Sequence, residues 1–225
     1  MCMLKVILHL ETTDIAALFK NSNPGRVTLN EPTGDFFYDP WVLKPEYEKH
    51  TCLRALNDIP LAGEMRVMTL APGETYRAHA DIDDRYHVNI SGENSYLFDL
   101  TTNKMHKTHT DNTLWLMDAG RIHSAANFGS TNRVQLVIRK LLVNSVGIET
   151  VKVRLEIQAP VPHNARYQFD NFWSPKLNHC AKHGMTNNFK KINDTTIEFE
   201  TSIFNIELFM DAVKESPLKI GLTVE

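Results

Sequence analysis

The sequence predicts a mainly β fold, a sandwich or barrel with flanking helices, followed by a small α+β unit. Three observations predict it. Between Glu64 and Leu141, short runs of alternating apolar and polar residues recur, with turn residues about every 8–12 positions. After Asn144 the pattern switches to strand, helix, strand. The composition, 42% hydrophobic and 23% charged over 225 residues, excludes disorder, collagen-like repeats and long coiled coils. A chain of this length also buries enough apolar surface to fold without disulfides or a structural metal.

Taken in order, residues 3–10 read as a strand rather than a leader peptide, because Lys5, His9 and Glu11 interrupt the apolar run. Thr13 caps a short helix carrying Ile15, Ala16, Leu18 and Phe19, and Asn23-Pro24-Gly25 ends it. Residues 33–41, TGDFFYDPW, form an aromatic and acidic stretch bounded by turn residues. Pro45, at a first-turn position, opens a helix to Asn57 with Leu53 and Leu56 inward. The predicted strands of the β region are EMRVMTL, ETYRAHAD, RYHVNI, SYLFDL, TLWLMD, RIHSAANF and RVQLVIRKL. Beyond them, VKVRLEI, TIEFE and LKIGLTV read as strands and IFNIELFMDAVK as a helix. The division is residues 1–63 flanking the β region, 64–142 as its core, and 145–225 as the α+β unit, with strand 3–10 adding to that unit's sheet.

Lys plus Arg total 24 and Asp plus Glu 27, a net charge of −3 that gives no general reason to bind nucleic acid or an acidic membrane. The three cysteines, Cys2, Cys52 and Cys180, show no CxxC spacing. A reducing, cytoplasmic setting is therefore expected, without a disulfide framework or thiolate zinc. No apolar run approaches the roughly 20 residues that span a bilayer.

Five of the ten histidines lie between 79 and 123. His79 and Asp81 are two apart, and on a strand such residues share a face. His123 follows the turn at Ala119-Gly120. Two imidazoles and one carboxylate on one side of a metal leave three positions open, which suits Fe(II) that must also bind a cosubstrate and dioxygen. Arg133 comes ten residues after His123, where a guanidinium could clamp a dicarboxylic acid.

The order HxD, then RYH, then a histidine followed ten residues on by arginine resembles the aspartyl/asparaginyl β-hydroxylase-type oxygenases, a group that includes bacterial free-proline hydroxylases. The resemblance covers residues 64–142. It implies a double-stranded β-helix, the jelly-roll of cupin type, and an Fe(II)- and 2-oxoglutarate-dependent dioxygenase. His79, Asp81 and His123 would be the metal ligands, and Arg133 would pair the far carboxylate of 2-oxoglutarate. Arg85 and His87 match the strand that lines the cosubstrate or substrate pocket. The implied reaction hydroxylates an amino-acid side chain (Asp, Asn or Pro), free or in a peptide or protein. The long C-terminal segment favours a polypeptide substrate.

Other readings stand beside this one. The chain could be a metal-binding cupin with different dioxygenase or isomerase chemistry, in which Arg133 is structural. It could also be a metal-free jelly-roll binding module. The polar face of RYHVNI fits either a pocket wall or a solvated edge strand. Asn127 reads as a ligand contact or a turn-holding residue. His106 and His109 fall in an exposed loop, and His179 and His183 have helical metal-pair spacing without an evident third ligand. The Phe36 to Trp41 cluster reads as core or lid packing, and Lys190-Lys191 as a solvated pair.

Overall fold

The computed structural model describes residues 3–9, 13–19, 25–143 and 149–225. Its elements begin with β1 (Leu4–His9), α1 (Thr13–Phe19), β2 (Gly25–Thr28), β3 (Asn30–Pro32), β4 (Trp41–Leu43) and α2 (Thr51–Asn57). The β-rich stretch follows as β5 (Ala62–Leu70), β6 (Arg85–Ser91), β7 (Ser95–Asp99), β8 (Lys104–Lys107), β9 (Thr113–Met117), β10 (His123–Asn127) and β11 (Arg133–Lys140). Last come β12 (Thr150–Ile157), α3 (Ala165–Lys182), β13 (Thr186–Asn193), β14 (Thr196–Ser202), α4 (Ile206–Glu215) and β15 (Ile220–Val224). The fold is mainly β, and every strand pairing is antiparallel. The chain forms two compact units, residues 1–78 with 83–141 and residues 79–82 with 142–225.

In the first unit a six-stranded sheet runs β1-β9-β6-β11-β5-β2, and a three-stranded sheet runs β10-β7-β8. The central strands β6 and β11 alternate, with Val137 the apolar exception on the polar face and a register shift between Val134 and Gln135. Tyr86 and Val88 with Val134, Leu136 and Ile138 face one way, into an apolar cluster with Ile15 and Phe19 of α1 and Leu53 and Leu56 of α2. Arg85, His87 and Asn89 with Arg133, Gln135 and Arg139 occupy the opposite face, and all are buried. The pleat therefore separates an apolar face that holds the fold from a polar face that is withdrawn from water. At Gly92, between β6 and β7, φ is +119° and a Cβ would stand 2.9 Å from the Arg133 Cα, so glycine permits this close approach.

In the second unit the sheet order is β13-β14-β12-β15. Val153, Leu155, Phe189, Ile197 and Phe199 are buried on it, with Phe169, Trp173 and Leu177 of α3 and Phe209 of α4 also buried. The Phe199 ring meets Phe189 at 5.4 Å and Phe209 at 4.9 Å, tying β14 to both β13 and α4.

Several expectations change. The strand at residues 3–10 pairs with β9 in the first unit's sheet, not with the C-terminal sheet, because Leu4↔Met117 and Val6↔Trp115 continue the β6–β9 ladder. The run ETYRAHAD forms no strand. It is extended, with isolated bridges such as Thr75↔Ala126, and two backbone bonds hold it beside β10: Tyr76 N to Ala125 O at 2.8 Å and Asn127 N to Glu74 O at 3.0 Å. Residues 45–49 are turns and the helix starts only at Thr51. Residues 104–107 form β8 rather than loop, paired with β7. Asn127 is a turn-holding residue: its amide donates to Leu70 O and Thr131 O, and its Oδ1 accepts from Gly129 N.

Candidate metal centre

His123 opens β10, directly after the turn at 118–121. Its Nδ1 stands 2.7 Å from the Arg121 carbonyl oxygen. A carbonyl only accepts, so Nδ1 carries the proton and the lone pair lies on Nε2, the tautomer a metal ligand needs. Arg121 is itself held, its Nη1 2.5 Å from Asp99 Oδ2, and Asp99 also accepts from Thr101 N and from Thr102 N and Oγ1. Burial alone would raise the Asp99 carboxyl, but the Thr102 and Arg121 hydrogen bonds outweigh it and hold it below the usual carboxylate range. The turn that presents His123 is thus fixed by a buried carboxylate in its ionised form.

His79 and Asp81 lie in the extended segment before β6, with His79 Nε2 3.8 Å from Asp81 Oδ2. One ligand atom from each of His79, Asp81 and His123 lies within 4.8 Å of the others. Two atoms bound at about 2.1 Å to one ion at right angles are about 3.0 Å apart, the spacing that a bound ion would require of such a set. The donor types, the His123 tautomer and the convergence all fit a divalent ion with open coordination positions. Among the described residues no other group of three such donors converges. The rings of His179 and His183 lie 4.4 Å apart, tilted at 49°, and no third ligand joins them among the described residues.

Sequence reasoning missed α3, and with it Asn178. This residue is 3% exposed, and its Nδ2 donates to Ile82 O at 2.8 Å and Asp81 O at 3.3 Å. It thereby pins the backbone that carries the Asp81 ligand. Asp170, two helical turns earlier, feels both Asp81 and His79, and burial pushes its carboxyl above the usual range. The apolar spacing Phe169, Trp173, Leu177, Cys180 was the available signal, masked by Pro175 inside the helix.

On the polar face of the six-stranded sheet, Arg133 is 1% exposed. Its Nη2 donates to Gln135 Oε1 at 2.8 Å, and Gln135 Nε2 donates to Asn89 Oδ1 at 2.7 Å. Its Nε and Nη1 have no partner among the described residues, nor does the Tyr76 hydroxyl. Burial draws the Arg133 guanidinium down to about 10, opposed by Tyr76, which leaves it charged at neutral pH. Burial, then the charges of Arg133 and His123, push His87 down to about 3, so its imidazole is neutral. Arg85 is ion-paired with Asp83, which also accepts from Arg139 Nη1 at 2.6 Å. That guanidinium therefore belongs to a buried ion network with an acid already in place, unlike Arg133. The Arg139 guanidinium in turn lies 4.4 Å over the Phe36 ring, and Phe36 meets Trp41 edge-on at 5.4 Å. The aromatic stretch thus packs against the network.

No family model matches the chain, and no curated protein matches it. No helix among the described residues is long and apolar enough to cross a membrane. Among solved structures, the capsular polysaccharide assembling protein CapF from Staphylococcus aureus is 17% identical, with a TM-score of 0.31. A second CapF structure, with the inhibitor 3-isopropenyl-tropolone, gives the same values. The match covers 38% of this chain and 26% of CapF, about a quarter of that protein's length, and a likeness this slight carries no argument about fold or activity.

Proposed function

We propose that the chain is an Fe(II)- and 2-oxoglutarate-dependent dioxygenase that hydroxylates an amino-acid side chain, built on a double-stranded β-helix with residues 64–142 as its catalytic core. In this reading residues 1–63 flank the core, residues 145–225 are an appended α+β unit, and the protein works in the cytoplasm. The observation that carries it is the convergence of His79, Asp81 and His123. Support comes from Arg133, a buried cation with two donors left over.

Bound there, Fe(II) would supply the redox chemistry that couples 2-oxoglutarate decarboxylation to C–H hydroxylation by dioxygen. The protein's own groups do the rest. Arg133 presents Nε and Nη1 to a carboxylate, and Tyr76 adds a hydroxyl; neither pays for desolvation again when the ligand arrives. Gln135 fixes the guanidinium plane through Nη2. His87, being neutral, adds no charge to compete with Arg133. Arg85 contributes to the wall through its pair with Asp83.

The test is titration with Mn(II), a redox-silent substitute, followed by 2-oxoglutarate, with succinate release measured under Fe(II). The expected result is one Mn(II) per chain, lost in His123→Ala, and 2-oxoglutarate binding that requires Arg133. Metal binding without 2-oxoglutarate binding would move the assignment to other cupin chemistry. No metal binding would leave a jelly-roll binding module.

A further inference from the structure

The first unit contains a cavity of about 320 Å³ that includes neither the metal-ligating group nor Arg133. Its floor is made by His87, Asn89 and Gln135 of the polar sheet face, and its apolar wall by Leu4, Leu97 and Trp115. Its rim is the β8 segment, including His106 and Lys107. The volume is at the lower end of the range for small-molecule sites, about 300–1,000 Å³, and suits a metabolite rather than a polypeptide.

The lining says what the occupant must be. His87 is 8% exposed, and its Nε2 is buried without a partner among the described residues. His106 Nε2 is likewise buried without a partner, and it enters the lining beside Leu97, its cross-strand neighbour. Unmatched buried polar atoms cost stability unless a ligand or water satisfies them, and both imidazoles line the cavity, so a polar group belongs beside them. No carboxylate lines the cavity. The one lysine or arginine in the lining is Lys107, which is exposed and has no ion-pair partner among the described residues. Arg133 adds positive potential from behind Gln135. Leucine and tryptophan walls require an apolar body.

We propose that this cavity binds a small organic monocarboxylate with an apolar body and a hydrogen-bonding group at its far end. The carboxylate lies toward Lys107 at the rim, the body against Trp115 and Leu97, and the polar end at His87. The site needs neither the metal nor 2-oxoglutarate, so it stands or falls apart from the oxygenase reading.

The experiment is calorimetric titration of the metal-free full chain with 4-hydroxyphenylacetate, with tyramine as the cationic analogue of the same ring. The expected result is saturable binding of one 4-hydroxyphenylacetate per chain and none of tyramine. Lys107→Gln, an exposed substitution, should weaken it about ten-fold. Lys107→Glu should abolish it and admit tyramine, while His106→Leu weakens it without changing the charge preference. Three results would overturn the proposal: no saturable binding, the same affinity in the wild type and both Lys107 variants, or displacement by 2-oxoglutarate, which lacks the apolar body and would make this the cosubstrate pocket.

Discussion

His123, His87 and Arg133 show how one residue's chemistry is set by a neighbour. The Arg121 carbonyl chooses the His123 tautomer, and burial keeps His87 neutral while leaving Arg133 charged. Two predictions belong at this scale. Arg133→Ala should weaken 2-oxoglutarate about 30-fold or more, the cost of losing one partner of a desolvated charge pair, while calorimetric Mn(II) affinity stays nearly unchanged. The second concerns pH. His87 has a folded pKa of about 3 against an ordinary 6.5. Between those values the unfolded chain binds the extra proton, so stability is complete above pH 6.5 and falls as pH drops toward 3. At pH 5 this one residue accounts for about 2 kcal/mol. Denaturant melts of wild type and His87→Gln at pH 7.5 and pH 5 should show a smaller pH difference in the variant. Equal differences would contradict the assignment.

Among elements, β6 and β11 carry the most information per residue. Their alternation was plain in RYHVNI and RVQLVIRKL, but whether the polar face met water or an interior depended on neighbours. β6 lies between β9 and β11, so it is no edge strand, and its histidine and asparagine are buried. The opposite face is conventional core: Leu136 is fully buried, and Leu136→Ala should cost about 2–5 kcal/mol in chemical denaturation. Helix α3 is the element whose role sequence periodicity did not disclose. Asn178→Ala should lower Mn(II) affinity about ten-fold through the Asp81 backbone, with little effect on the helix content seen by circular dichroism. A loss of metal binding matched by a loss of helix would instead mean that Asn178 only supports folding.

For the whole molecule, the controlling fact is the sequence distance between pairing partners. β1 pairs with β9 more than a hundred residues later, and β2 and β11 flank β5 across the first unit. Such pairings close long loops before any contact rewards them. Refolding from denaturant should therefore take about milliseconds to seconds in stopped-flow fluorescence, not the microseconds of a helical bundle.

The sequence by itself determined the mainly β character, most strands between 64 and 141, the strands β12, β14 and β15 with helix α4 but not β13, and the residues His79, Asp81 and His123 as candidates. These are properties of local alternation, turn residues and side-chain chemistry, which a linear pattern carries. Tertiary structure alone decided the rest. It put β1 on β9 because the edge of a ladder is visible only once the ladder exists. It replaced the strand at ETYRAHAD with an extended segment, so that His79 and Asp81 converge without the two-residue strand repeat that first singled them out. It gave Arg85 an acid and left Arg133 with donors to spare, although both are arginines on buried polar strand faces. Which charge meets its partner and which awaits a ligand is a matter of packing in three dimensions, and no spacing along the chain encodes it.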